Sequence, residues 1–290
     1  GAVTNPVGVY ALATGTATAS NAGTINMTGD GPGIGVGASG ATVNVTNTGS
    51  VTTSGANVAG LFGRSVTART TNITNSGTVT AASGTGSGIY GVGPTVNITN
   101  TASGTVTGGG VGVVAVAQNT LVGMAYTGGT ATVTNAGTIN GGVTSYNPGG
   151  RPAMIATPNT FIVNNNGGTI NGSIRSNVNS IANITNNGGT VGDNTTAIAT
   201  GSSNGDQVTI TGTGNVINGT IEDGNTFGGY SSGNILTFSQ TDTVRLTQGR
   251  ATAYGGGGFI SVQAFDEVRF TAGTTEFVGS EIAAPGTNGL

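Results

Sequence analysis

The sequence predicts an all-β protein folded as a parallel β-helix, or β-solenoid, with about ten coils of roughly 27 residues each. One phrase recurs along the chain and reads ATVNVTNTGSVT from Ala41, TTNITNSGTVT from Thr70 and TATVTNAGTIN from Thr130. Residues branched at Cβ dominate, with 48 Ile and Val against 6 Leu, and such side chains suit a pleated surface. The 57 Gly suit sharp corners and close backbone contacts between coils. Because Lys is absent and Glu is scarce, long helices are not expected.

The repeat length can be read from the apolar residue two positions after the Gly of each copy. These marker residues form a second predicted buried column, with less regular members at the end: Ile25, Val51, Val79, Val106, Ile139, Ile170, Val191, Val216, then Val244 and Val268. Successive markers lie 21 to 33 residues apart. This variation is typical of a solenoid whose strands keep their length while the connecting loops vary.

The first strand of each coil is predicted from strict alternation, as in Val43-Asn44-Val45-Thr46. Alternation directs every second side chain to the same face of a strand. In stacked coils, the inward side chains should align at a spacing of about 4.8 Å. The residues expected in this buried ladder are Val45, Ile73, Ile98, Val133, Val163, Ile184 and Ile210.

An asparagine follows the first strand in nearly every copy and marks the corner before the second strand. Stacked amides can hydrogen-bond along the column, and Asn tolerates the backbone conformation of a tight corner. The predicted structural Asn ladder comprises Asn21, Asn47, Asn75, Asn100, Asn135, Asn165 and Asn186.

The second strand is the short Thr-Val-Thr piece after the corner, and the third is an apolar run containing Gly. The third strands are expected at Val9 to Ala13, Gly33 to Gly37, Val58 to Phe62, Gly88 to Val92, Val111 to Val116 and Ala153 to Ala156. Three short strands per repeat are typical of a β-helix in which each coil stacks on the previous one.

Two regions of one solenoid are expected. Residues 1–192 contain regular coils rich in Asn, Gly and Thr, with one acidic residue and four Arg. Residues 193–290 contain less regular coils, with nine acidic residues and three Arg. The change indicates a different type of coil within the same stack.

Composition excludes several classes of chemistry. The chain has no His, Cys or Lys. This excludes catalysis by a Ser-His-Asp triad or a Cys-His pair, zinc binding through His or Cys, and a lysine Schiff base. No cofactor, metal site or catalytic residue is therefore expected. Seven Arg against ten acidic residues give a net charge of −3, which argues against nucleic acid as a partner. The longest apolar run, GVGVVAVA from Gly110, is too short to cross a membrane.

Several segments resemble the passenger domains of bacterial autotransporters, the type V secreted proteins. The resemblance lies in NITNSGTVT, GNVINGTIEDGN, ILTFSQTDTVRLTQG and FISVQAFDEVRFTAGTTEFVGS. The repeats that resemble the family span about residues 16–220, and the last phrases resemble the region before a passenger's C-terminal folding core. The resemblance implies a right-handed β-helix exported to the cell surface, where many family members act as adhesins or self-associating factors.

The expected function is therefore that of a non-catalytic, extracellular structural or adhesive rod at the bacterial surface. Expected partners are further copies of the chain, a host surface, extracellular matrix or a glycan. One alternative is a filament subunit that polymerises head to tail, because neither end of the sequence offers an amphipathic helix or a charged plug as a cap.

A second alternative is a carbohydrate-active β-helix enzyme, either a lyase or a glycosidase. Such enzymes need paired carboxylates beside a groove. The candidate acids are Asp193, Asp206, Glu222, Asp223, Asp242, Asp266 and Glu267, and neighbouring coils are expected to bring Asp242 near Asp266.

Overall fold

The regular structure in the computed structural model consists only of β-strands. The structure describes residues 7–29, 31–66, 69–82, 84–118, 120–122, 125–145, 159–176, 180–201, 203–223, 233–246, 249–250, 259–277 and 281–283. These residues form a parallel β-solenoid without helix, so the predicted fold class is confirmed.

The described ranges contain thirty strands, and most are short. The N-terminal strands are β1 (Val7–Leu12), β2 (Thr16–Asn21), β3 (Thr24–Met27), β4 (Ile34–Gly40), β5 (Thr42–Asn47), β6 (Ser50–Thr53), β7 (Ala59–Ser65), β8 (Thr70–Asn75), β9 (Thr78–Ala81) and β10 (Ser87–Gly93). The central strands are β11 (Thr95–Asn100), β12 (Thr105–Gly108), β13 (Val111–Ala117), β14 (Thr120–Val122), β15 (Ala125–Thr127), β16 (Thr130–Asn135), β17 (Thr138–Asn140), β18 (Val143–Ser145), β19 (Asn159–Asn166) and β20 (Thr169–Asn171). The C-terminal strands are β21 (Ile174–Arg175), β22 (Ser180–Asn187), β23 (Thr190–Thr200), β24 (Gln207–Gly212), β25 (Val216–Asp223), β26 (Ile235–Leu246), β27 (Gly249–Arg250), β28 (Phe259–Gln263), β29 (Glu267–Phe277) and β30 (Glu281–Ala283).

The strands stack into three parallel faces. The first face contains β2, β5, β8, β11, β16, β19, β22 and β24, then β26 and β29. The second face begins with β3, β6, β9, β12, β17 and β20 and continues in β23 and β25. The third face begins with β1, β4, β7, β10, β13, β18 and β21 and also continues in β23 and β25.

The solenoid has about eight turns of about 27 residues, slightly fewer than the ten predicted. The regular three-faced turn ends with β25. Beyond it, β26 pairs with β24 on the first face and then with β25 at Leu246. One long strand therefore replaces two strands and the corner between them, and the short antiparallel pairing of β27 with β28 also interrupts the repeat.

The core is a narrow column of side chains enclosed by the three faces. In β5, β8, β11 and β16, buried and half-buried residues alternate strictly, as the sequence predicts. The inward residues are small or β-branched along most of the stack, and the few larger ones, including Phe161 and Phe238, are also fully buried. Each turn covers the apolar face of the next, so no turn buries its core alone.

A Gly in each of β1, β4, β7, β10 and β13 allows the third face to lie close to the second. At Gly60 a Cβ would overlap Cγ1 of Val79, and at Gly88 it would overlap Cγ1 of Val106. The marker residues of the second face therefore fill the space that these Gly leave. The recurring Gly in the apolar runs reflects this close packing between two faces.

Three assignments to the marker column differ from the structure. Val191 pairs with Ile217, so Ile217 continues the marker column and the predicted member Val216 is half exposed. Ile217 pairs with Leu246, so Leu246 continues the column in place of the predicted Val244, which is also buried. Val268 pairs with Leu236 on the first face and is not a marker of the second. Of the predicted third strands, Ala153 to Ala156 lies outside the described residues, and β18 occupies the third face in that turn.

Candidate functional site

The seven predicted asparagines form one column, which we call the amide column. In every step an Nδ2 donates to the Oδ1 of the Asn in the next turn, at 2.9 to 3.0 Å, from Asn21 through to Asn186. The Nδ2 of Asn75 also donates to the carbonyl of Gly77 at 3.0 Å, closing the corner. Six of the seven side chains are fully buried, and Asn21 is nearly so. Buried amides paired in this way hold successive corners in register.

The amide column extends one turn further than the sequence predicts. Asn186 Nδ2 donates to Asn215 Oδ1 at 2.9 Å, and Asn215 Nδ2 donates to the carbonyl of Thr211 at 2.9 Å. Asn215 comes after β24 and not at its end, so it does not stand at the position where the repeat phrase places its Asn. The regular spacing of the other asparagines in the amide column therefore does not predict Asn215.

The predicted buried ladder is correct for its first six members and wrong for the last. Val45, Ile73, Ile98, Val133, Val163 and Ile184 occupy successive register positions on the first face. Ile184 then pairs with Val208, whereas Ile210 pairs with Asn186. Ile210 is still fully buried, because it takes the inward position that Asn occupies in the other turns while the amide moves to Asn215.

The outside of the solenoid is covered largely by neutral polar side chains. An outer amide ladder runs along the first face, with Asn72 donating to Asn44 and Asn97 donating to Asn72, both at 3.0 Å. On the second face, Asn140 donates to Thr107 at 3.0 Å and Asn171 donates to Asn140 at 2.8 Å. Both ladders can be predicted from the sequence, because polar residues recur at the same register positions on these two faces.

The structure does not bring Asp242 and Asp266 together, so the expected acid pair is wrong. Asp266 precedes β29, and its Oδ2 accepts a hydrogen bond from the backbone N–H of Asn234 at the start of the first face. Asp242 lies seven residues beyond Ile235 in the same turn, and its Oδ2 accepts from the N–H of Gly214. The two carboxylates therefore lie at opposite ends of one face.

A different pair of carboxylates is brought together: Asp206 and Asp223, both fully buried. Asp223 accepts hydrogen bonds of 2.6 Å from the Thr200 hydroxyl and from the Asn234 amide. Asp206 Oδ1 accepts from the backbone N–H of Ala182 at 2.7 Å. The Thr200 hydroxyl donates to Asp223, and among the described residues no donor lies within hydrogen-bond distance of Asp206 Oδ2.

The surroundings of this acid pair favour a protonated Asp206. Burial raises the pKa of Asp206 from 3.8 to about 7; the Ala182 hydrogen bond opposes this rise and the negative charge of Asp223 adds to it. A buried carboxylic acid and a neighbouring carboxylate resemble the electrostatics of an acid and base pair. Because neither side chain reaches the surface, the arrangement is closed to a polymeric substrate.

Three other acids of the C-terminal region make contacts of their own. Asp193 is exposed and accepts from the N–H groups of Thr195 and Thr196. Glu267 is exposed and paired with Arg269, which lowers the pKa of that carboxyl. Burial raises the pKa of Glu222, against the opposing charge of Arg175. Within the described part of the chain, no three acidic side chains converge as metal ligands.

A cleft of about 410 Å³ opens on the outside of the third face, near the N-terminal end. Its walls include Ile34, Val58, Phe62 and Tyr90. Phe62 and Tyr90 are register neighbours in β7 and β10, and their rings stack with centroids 6.1 Å apart and planes inclined by 15°. Both rings are half-buried. We call this feature the aromatic cleft.

Tyr10 extends the aromatic surface toward the first turn. Gly37 lies in register between Tyr10 and Phe62, and a Cβ on Gly37 would come within 2.9 Å of the Tyr10 ring. The missing side chain therefore leaves space into which the ring extends. Tyr10 remains 42% exposed, so the strip of aromatic side chains is open to solvent.

Neutral polar groups lie among the apolar walls of the aromatic cleft: Asn57, Thr85 and Ser87. The Asn57 N–H donates to Thr85 Oγ1 at 3.0 Å, which joins the loops of successive turns. Asn57 has a φ of 55°, a left-handed conformation that Asn tolerates better than most residues. Among the eleven described residues that line the cleft, none is charged.

The described residues contain no helix long and apolar enough to span a bilayer. Comparison of the chain with family models, with curated proteins and with solved structures found no match.

Proposed function

We propose that this chain is a non-catalytic structural and adhesive β-solenoid that works outside the bacterial cell, as autotransporter passengers do. The observation that supports the proposal best is the division between its interior and its surface. The Asn amides that hold successive turns in register are buried in the amide column, while the outer faces present repeated Thr and Asn side chains. Such a surface offers many equal hydrogen-bonding positions along a rod, while the acid pair of Asp206 and Asp223 is buried.

The resemblance of the repeat phrases to passenger domains supports the extracellular location. The strand arrangement is consistent with life outside the cell, because strands of the regular turns pair on both sides and leave few free edges to proteases. Host surfaces, extracellular matrix and glycans are the proposed partners, together with further copies of the chain.

An adhesion assay with the purified chain tests this proposal. Beads coated with the chain should bind cultured host cells or matrix proteins more strongly than beads coated with an inert protein. A double variant, Thr46→Glu with Thr99→Glu, places negative charge on the outer first face while leaving the core unchanged, and it shows whether that face contributes. Equal retention of coated and control beads on every surface would refute an adhesive role.

A head-to-tail filament is the second candidate, and the exposed apolar side chains of β1 favour it. Val7 is 49% exposed and Leu12 is 79% exposed, and in the described residues β1 pairs with β4 alone. A second solenoid stacking on this strand would cover these side chains and complete its backbone hydrogen bonds. Electron microscopy of the purified chain distinguishes filaments from isolated rods, and Leu12→Glu should shorten any filaments that form.

A further inference from the structure

We infer that the aromatic cleft binds an uncharged glycan, through the apolar wall of Phe62 and Tyr90 and the neutral polar groups of Asn57, Thr85 and Ser87. This inference names a ligand for the adhesive role proposed above and rests on it.

The cleft has the size and composition of a small-molecule site. Its volume of about 410 Å³ lies within the range of about 300 to 1,000 Å³ that is typical of ligand pockets. An apolar wall with a few polar groups at its edge is also typical of such sites. A pyranose ring matches this arrangement, since its C–H groups pack against aromatic surface while its hydroxyl groups lie at the periphery.

The absence of charge in the described lining selects among ligands. An anionic ligand such as a sulfated or uronic acid polymer gains most from Arg or Lys, and the described lining residues include neither. A cationic ligand would need a carboxylate, which the described lining residues also do not supply. The hydroxyl and amide groups of the lining can both donate hydrogen bonds to the hydroxyls of a neutral sugar and accept hydrogen bonds from them.

The strand pairing argues against an extended peptide as the occupant. A peptide that adds to a sheet needs a free strand edge. The strands that carry Ile34, Phe62 and Tyr90 have no such edge, because β4 lies between β1 and β7, and β7 lies between β4 and β10. Strand β10 is likewise paired with β13 on its other side. A ligand in the cleft must therefore be recognised by side chains.

The loop that supplies Asn57 is held in place before any ligand arrives. Its left-handed residue is fixed by the hydrogen bond to Thr85, a residue of the following turn. A site whose polar groups are already ordered loses less conformational freedom on binding. This pre-organisation favours recognition of a rigid ligand such as a sugar ring.

The test measures binding of the full chain to an array of neutral oligosaccharides: β-glucan, mannan, galactan, xylan and chitin hexamers, with heparin and oligogalacturonate as charged counterparts. Isothermal titration calorimetry then follows the best neutral ligand. Tyr90→Ala should weaken binding at least about tenfold, which corresponds to about 1.4 kcal/mol. Tyr90→Phe should retain binding because it keeps the ring.

Phe270→Ala serves as the matched control, since Phe270 is an exposed aromatic residue that stacks on Phe238 far from the cleft. It should bind the glycan as the unaltered chain does, and circular dichroism checks that each variant is folded. The inference is overturned if no neutral glycan binds, if only the charged oligosaccharides bind, or if Tyr90→Ala binds unchanged. It is also overturned if Tyr90→Ala abolishes self-association, which would assign the cleft to a second copy. Adhesion of beads that survives Tyr90→Ala would leave the adhesive proposal standing without this ligand.

Discussion

Asn75 donates a hydrogen bond of 2.9 Å to Asn100 in the next turn, and both side chains are fully buried. The same donor also closes its own corner through Gly77. One side chain therefore fixes a corner within a turn and the register between two turns. The outer amide ladder makes the same bond between Asn72 and Asn44 without this burial.

We expect Asn75→Ala to destabilise the solenoid by about 3 kcal/mol, because it leaves neighbouring buried amide and carbonyl groups without partners. Asn72→Ala removes a comparable amide bond at the surface, where water replaces the lost partner, and should cost less than about 1 kcal/mol. Denaturant midpoints of the two variants give the comparison. Equal shifts would mean that burial of the amide column adds nothing to its strength.

Gly88→Ala tests the close contact between the second and third faces. The added Cβ would overlap Val106 and lie 2.7 Å from the carbonyl oxygen of Gly112, a backbone atom that cannot rotate away. We expect a loss of about 3 kcal/mol, the upper part of the usual range for overpacking a core. The thermal unfolding midpoint reports the change.

Gly84→Ala is the matched control for that substitution, because a Cβ there meets no atom within 4 Å. It should change stability by less than about 0.5 kcal/mol in either direction. If both alanine variants unfold together, the Gly column is not required for the packing of the two faces.

The acid pair predicts a stability that falls as the pH rises. Asp206 has a pKa of about 7 in the folded chain and an ordinary value of 3.8, so the folded state binds its proton more tightly. Its contribution is complete below pH 3.8 and is lost as the pH rises to about 7. A shift of that size corresponds to about 4 kcal/mol as an upper estimate. The melting temperature should therefore be higher at pH 5 than at pH 8.

Asp206→Asn should flatten this pH dependence, because the amide keeps the oxygen that accepts from Ala182 and cannot ionise. Asp193→Asn, which alters an exposed carboxylate, should leave the pH dependence as it is in the unaltered chain. A steep pH profile that persists in Asp206→Asn would assign the effect to another group.

The sequence predicts the features that repeat and fails where the repeat changes. The first six members of the buried ladder and the seven predicted asparagines recur with their strands, so local phrases located them. The acid pair was missed because Asp206 and Asp223 belong to different turns and meet only through the stacking of irregular coils. The aromatic cleft left a weak signal, since Phe62 and Tyr90 occupy equivalent positions of successive third strands. Its polar loops vary in sequence and could not be aligned.

The change of register at β24 can be tested by disulfide trapping, because the chain has no Cys of its own. The repeat phrase would align Ile210 with Ile184 and hence Thr211 with Thr185, whereas the structure pairs Thr185 with Thr209. Directly paired residues on neighbouring strands lie about 5 Å apart, within reach of a disulfide, while a shift of two residues exceeds that reach at about 7 to 8 Å. Thr185→Cys with Thr209→Cys should therefore crosslink readily under mild oxidation, and Thr185→Cys with Thr211→Cys should not. Mass spectrometry of tryptic or chymotryptic fragments measures both yields, and a higher yield from the second pair would restore Ile210 to the buried ladder.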